Sequence, residues 1–275
     1  MLNPRKIFWK RGACSNAMFF LLNHEFDNTK PLEEKASDML AGGIAQKGHQ
    51  CGMLWGGALA IGTESFRRHS DRNVAIARAI NASRHLVNSF QKRTGTSNCR
   101  AITKVDWENK RDRTIYMLKV FAHGFVFSHC YNLMVKWTPE AIQAANDGLS
   151  ENIDFRQPCL SCATRVVEAM GASDEESLMV AGFAGGIGLS GDACGALAAA
   201  IWYKMLDWGK KNPGQSSLMF DNPDARKVLN AFEKQAGSEM RCSKICNTMF
   251  SSIDEHTDYI KSGGCKDLLE TLSKA

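Results

Sequence analysis

Ten cysteines lie along 275 residues. Eight of them fall into two series of like order, and that repetition limits the folds open to the chain more than composition does. The interval from Cys51 to Cys99 equals the interval from Cys194 to Cys242. A lead cysteine precedes each pair, Cys14 or Cys162, and a last one follows, Cys130 or Cys265. Aligning Cys51 on Cys194 sets Gly42-Gly43 on Gly185-Gly186, Ile44 on Ile187, Gly48 on Gly191 and Gly52 on Gly195. The lead cysteines stand at slightly unequal distances before the glycine-flanked ones, a difference one loop absorbs. The chain reads as a tandem duplication of one unit of roughly 130 residues. The first unit is expected over 1–137 and the second over 159–275. Residues 138–158, polar and with a proline near each end, are expected to link them.

Helix signals run through both units. Pro31 opens "PLEEKASDMLAGG" at a first-turn position, and a glycine pair closes it. Ser173 and Glu176 have capping-box spacing, and Asn222 is a cap with Pro223 behind it. Ile76, Ile80, Val87 and Phe90 share one helical face. The stretch 114–137 is too long and too little alternating for a strand, so a buried helix is expected there. The apolar segment from Leu178 to Trp202 is interrupted by Asp192 and six glycines, which favours two buried helices joined by a glycine turn over a membrane span. The fold class is all-α: two homologous helical bundles in tandem, packed as a pseudo-twofold dimer.

Charge excludes some functions. The net charge of +5 is spread over short basic runs separated by acids, with no long basic stripe, so nucleic acid is not an expected partner. No cleavable leader is read at the N-terminus. The expected location is cytoplasmic, with no membrane insertion; a redox partner protein and self-association into a homo-oligomer are left open. In a reducing compartment, cysteines point to metal or redox chemistry before a disulfide framework. A buried thiol also packs well as a small hydrophobe, but recurrence at matched places in two copies favours function.

A glycine pair ends one helix before "HQCG" and "DACG", so Cys51 and Cys194 are expected in the first turn of the next, with Asp192 capping the second copy's helix. Unpaired N–H groups and the helix dipole would favour a thiolate there. Gly52, Gly56, Gly57 and Gly62 would let another helix or a cofactor approach closely. Four thiolates from separate helices can hold a [2Fe–2S] or [4Fe–4S] cluster, zinc or copper(I). The second copy adds Cys159, in a C-x-x-C with Cys162, and Cys246, in a C-x-x-x-C with Cys242. Ala163 follows the C-x-x-C where haem attachment needs histidine. Candidate metal ligands are thus Cys51, Cys99, Cys130, Cys159, Cys162, Cys194, Cys242, Cys246 and Cys265. The surplus in the second copy makes that half the expected home of a single cluster. His49 and His129, beside Cys51 and Cys130, could ligate metal or raise thiolate character.

The pattern resembles the redox-active proteins named for the cysteine motif C-GCAxxG-C-C. The first copy reads Cys51-Gly52-Met53-Leu54-Trp55-Gly56, with methionine where the motif has alanine. The second reads Cys194-Gly195-Ala196-Leu197-Ala198-Ala199, with alanine in place of the last glycine. The resemblance spans most of the chain twice, including "TSNCRAI", "RCSKIC" and "GGCKDLL". It implies redox chemistry and an iron–sulfur cofactor bound by Cys14, Cys51, Cys99, Cys130, Cys162, Cys194, Cys242 and Cys265, and no particular substrate. The leading expectation is an electron-transfer protein with one or two clusters. The alternatives are a metal-free thiol–disulfide protein with Cys51 and Cys194 as attacking thiols, a soft-metal binding module without turnover, and structural zinc.

Overall fold

The computed structural model describes residues 2–122, 128–215 and 222–275. Among these residues there is no strand, only two isolated bridges between helices. The first half contains α1 (Pro4–Arg11), α2 (Cys14–Glu25), α3 (Pro31–Ala36), α4 (Gly52–Arg68), α5 (Arg72–Thr94), α6 (Cys99–Thr103), α7 (Lys110–Ala122) and α8 (His129–Ser150). The second contains α9 (Cys162–Ala169), α10 (Asp174–Met179), α11 (Gly195–Lys211), α12 (Pro223–Ala236), α13 (Cys242–Ile245), α14 (Ile253–Lys261) and α15 (Lys266–Lys274). The 3₁₀ turns Ser37–Leu40 and Ala181–Phe183 follow α3 and α10.

The ends are set by the residues read from sequence. Pro31 starts α3. Ser173 and Glu176 form a reciprocal capping box on α10. The Asn222 side chain accepts from the N–H groups of Asp224 and Ala225 at 2.9 and 3.2 Å, a cap that contributes about 1 kcal/mol. Asp71 caps α5, whose expected apolar face (Ile76, Ile80, Val87, Phe90) is buried.

In the first half α2, α4, α5 and α8 pack together; α9, α11, α12 and α15 repeat the arrangement in the second, and one hydrophobic core runs through both halves. The alignment of Cys51 on Cys194 also relates the local geometry. The bridge between Gln50 and Asn98 recurs as the bridge between Ala193 and Arg241. Gly48 N–H donates to the Gly42 carbonyl at 2.9 Å, and Gly191 N–H to Gly185 at 2.9 Å. Ile44 and Ile187 both hold positive φ, at 62° and 52°, in the turn after the glycine pair. Contacts between the halves are reciprocal. The segment Pro31–Leu40 lies on α11, while α10 and its following turn lie on α4. Gly62 allows this second contact, since a Cβ there would stand 2.3 Å from the Met179 carbonyl oxygen.

Two sequence readings are corrected. Residues 138–150 are not linker but the second half of α8. Trp137, Ala141, Ala145 and Leu149 recur every fourth residue and are buried, which holds the helix onto α5 through Pro139. The single buried helix expected over 114–137 is instead the end of α7 and the start of α8; residues 123–127 lie outside the described residues. On α7, Met117, Leu118 and Phe121 are exposed rather than buried. Among the described residues no helix is long and apolar enough to cross a membrane.

Candidate functional site

The eight cysteines of the repeat all sit at helix starts. Cys14, Cys99, Cys162 and Cys242 are the first residues of α2, α6, α9 and α13. Cys51, Cys194 and Cys265 are the N-caps of α4, α11 and α15, and Cys130 is the second residue of α8. The isolated bridge brings two of these starts together. Cys51 N–H donates to the Ser97 carbonyl at 2.8 Å and Cys99 N–H to His49 at 2.6 Å. In the second half Cys194 N–H donates to Met240 at 2.7 Å and Cys242 N–H to Asp192 at 2.6 Å.

In the first half the four thiols converge on one cavity of about 600 Å³, whose walls are mostly apolar and include Phe8, Met53, Tyr131 and Leu133. Its rim carries the exposed Trp9, Met117, Leu118 and Phe121. The glycine of the motif is required by its neighbour: a Cβ on Gly52 would meet Cys14 Sγ at 2.6 Å. Gly56 serves packing, since its Cβ would stand 2.0 Å from the Ser15 carbonyl oxygen on α2. The glycine pair also acts directly, because Gly42 N–H donates to the Cys14 sulfur and Gly185 N–H to Cys162.

The second cavity is only about 20 Å³, space for about one water. Cys162, Cys194, Cys242 and Cys265 line it, and so does Cys246. Cys246 Sγ lies 3.5 Å from Cys265 Sγ and 3.8 Å from Cys242 Sγ. Cys159 does not join them. No helix or turn joins it to Cys162, Ser161 between them is extended, its N–H donates to Asn73 Oδ1 at 2.9 Å, and its sulfur faces Thr257, so the C-x-x-C does not present two thiols to one site. Neither His49 nor His129 lines either cavity. Asp192 is not the cap of α11, because Cys194 holds that position; its carboxylate accepts from the Ser97 hydroxyl across the halves. Hydrogen bonds therefore run from Cys51 through Ser97 and Asp192 to Cys242.

Burial governs the thiols. It pushes Cys194 up to about 12, although the Ala196 and Leu197 N–H groups pull the other way. The proton shared with Cys14, with burial added, holds Cys51 well above its ordinary value. Cys14 is the lowered one, because the Cys51 thiol donates to it. A helix start alone thus does not make Cys51 or Cys194 an anion: the Cys14 partner and burial hold Cys51 neutral, and burial holds Cys194 neutral. Burial also raises Cys99 strongly, and raises Cys130 to about 12 despite the Tyr116 hydroxyl that donates to it.

Two kinds of site residue were missed in sequence. Tyr116 follows Cys99 at the same interval at which Tyr259 follows Cys242, a matched spacing that marks both as part of the repeat. Each lines its cavity beside the last cysteine, and Tyr259 Oη is 3.9 Å from Cys265 Sγ. His256 lines the second cavity, edge-on to Phe250 with ring centroids 5.0 Å apart and Nδ1 3.3 Å from the Leu160 carbonyl. Burial pushes its pKa down to about 4. The unfolded chain then binds the extra proton between about pH 6.5 and the folded value, so stability present above about pH 6.5 is lost as pH falls. The loss should reach about 1.4 kcal/mol per pH unit in that window. Urea denaturation across it should show that slope for the wild type and a flatter one for His256→Phe; equal slopes would assign the proton elsewhere.

Comparison with known protein families finds one match in two places. The family described as "Putative redox-active protein (C_GCAxxG_C_C)" matches residues 13–141 and 158–274, nearly the whole chain. No curated protein and no solved structure matches.

Proposed function

This chain belongs to the C-GCAxxG-C-C family of redox-active proteins, and from that premise we propose that its first half carries an iron–sulfur cluster on Cys14, Cys51, Cys99 and Cys130. The observation behind this reading is the convergence of four helix starts, each bearing its cysteine, on one cavity of about 600 Å³. The donor set fits the group: four soft sulfurs, as both common cluster types require. The surroundings fit as well. Positive helix ends, Gly42 N–H and the Tyr116 hydroxyl all face sulfur, where they offset the negative charge of thiolates. When bound, a cluster supplies one-electron storage.

The chain's own residues then have separate tasks. The four cysteines lose their protons and bind. Phe8, Met53, Tyr131 and Leu133 exclude water from the sulfurs. Gly42 N–H and Tyr116 tune the potential through their hydrogen bonds to sulfur. The apolar rim at Trp9, Met117, Leu118 and Phe121 gives an electron partner a place to approach. The reciprocal contacts support reading the two halves as related by a pseudo-twofold axis. A soft-metal site is the second reading. It is the weaker one there because, among the described residues of the first half, no three His, Cys, Asp or Glu side chains form a group that could hold one metal ion. Thiols spread around a cavity suit a polynuclear group better.

Anaerobic reconstitution of cysteine variants tests the proposal. Cys14→Ser, Cys99→Ser and Cys130→Ser should each bring first-half iron to background, and Cys159→Ser should leave it unchanged. If the three variants retain wild-type iron, the cavity is not a cluster site.

A further inference from the structure

Cys246 has no counterpart in the first half. When Cys242 is set on Cys99 it falls on Thr103, whose hydroxyl donates to the Cys99 carbonyl at 2.8 Å. In the second half this extra thiol lies between two others, 3.5 Å from Cys265 Sγ and 3.8 Å from Cys242 Sγ. Cys246 and Cys265 are half-buried, whereas Cys242 is buried. The surrounding cavity is about 20 Å³, against about 600 Å³ in the first half. The two copies have thus diverged: one surrounds open space with four thiols, and the other closes on five with two sulfurs in van der Waals contact.

We infer that Cys246 and Cys265 form a reversible dithiol–disulfide couple that exchanges with disulfides of the low-molecular-weight R–S–S–R class. Either thiol, deprotonated, attacks one sulfur of R–S–S–R. A new S–S bond forms as the old one breaks, and RS⁻ leaves and takes up a proton. The second thiol gives up its proton and attacks the mixed disulfide, forming the Cys246–Cys265 bond and releasing a second RSH. Two protein thiols are oxidised and one external disulfide is reduced to two thiols, so atoms and electrons balance. The pair suits this better than Cys242 with Cys246, because its sulfurs are closer and both residues are half-buried, whereas Cys242 is buried. The couple stands independently of the cluster proposed for the first half.

The test uses the full chain, purified anaerobically and equilibrated in buffers of reduced and oxidised glutathione. Remaining thiols are alkylated and the peptides mapped by mass spectrometry. One linked Cys246–Cys265 peptide pair is expected, with two alkylation sites lost together as the buffer becomes oxidising. Cys246→Thr, which installs the first copy's residue, should keep the melting temperature of the reduced wild type and show no linked pair. Two outcomes of the mapping overturn the inference: both thiols staying alkylatable in the most oxidising buffer, or linkage of Cys242 to Cys246. Iron per chain in the same samples reports on the first-half reading separately. A fall in iron on Cys246→Thr would make Cys246 a metal ligand and would also overturn the couple.

Discussion

Replacing Gly56 by valine should destabilise the first half by roughly 3–5 kcal/mol. A Cβ at this position would stand 2.0 Å from the Ser15 carbonyl oxygen, 2.9 Å from its carbon and 3.0 Å from Phe19 N. All three are backbone atoms of α2, so no side-chain rotation relieves the clash, and α2 must move away from α4. That movement carries Cys14, on the first turn of α2, away from Cys51. The second copy provides the control. Ala199 occupies the matched place, buried and already bearing a Cβ, so Ala199→Gly should cost only about 1 kcal/mol. Chemical denaturation of the two variants measures the contrast. Equal small losses would mean that the motif glycine serves something other than the approach of α2 to α4.

Loading the first half with iron and sulfide should raise the melting temperature by about 5–10 °C. A ligand held at a hundred times its dissociation constant adds about 2.7 kcal/mol, and about 2–4 °C accompanies each kcal/mol in a chain of this size. The physical reason is particular to this site. The site buries four thiols, and ionisation is opposed at Cys51 by its Cys14 partner and by burial, and at Cys99 and Cys130 by burial. Occupied, it ties the starts of α2, α4, α6 and α8 to one group. Chelation should reverse the gain, and Cys51→Ser should show none of it. A melting temperature indifferent to iron would leave the four thiols as packing residues.

The duplication and the all-helical class were legible because both are written in spacing. The interval from Cys51 to Cys99 recurs unchanged from Cys194 to Cys242, and the caps at Pro31, Ser173 and Asn222 are local signals that tertiary packing did not override. The convergence of the repeated cysteines was legible only in outline, as matched thiols near helix starts. Composition misled at residues 138–150. Their polar residues suggested a linker, while the buried Trp137, Ala141, Ala145 and Leu149 recur at about one helical turn and hold α8 together past Pro139. Local pattern also misplaced Cys159, since a C-x-x-C joins two thiols only if the intervening backbone turns, and here no turn is formed and Ser161 is extended. The state of Cys51 and Cys194 was beyond reach of sequence for a different reason. The helix start is a local feature, but what outweighs it, the Cys14 partner and burial at Cys51 and burial at Cys194, comes from the opposing helices of the bundle. The difference in cavity volume between the halves, about 600 Å³ against about 20 Å³, likewise depends on how distant helices stand to one another, and no cysteine spacing records that.

The most direct measurement is iron and acid-labile sulfide per chain, with the visible spectrum, on anaerobically purified full-length protein. A cluster in the first half predicts iron and sulfide in equal amounts and a broad visible absorption that bleaches on reduction, all lost together in Cys51→Ser. Protein that is colourless after anaerobic reconstitution, with iron and sulfide at background, would contradict it.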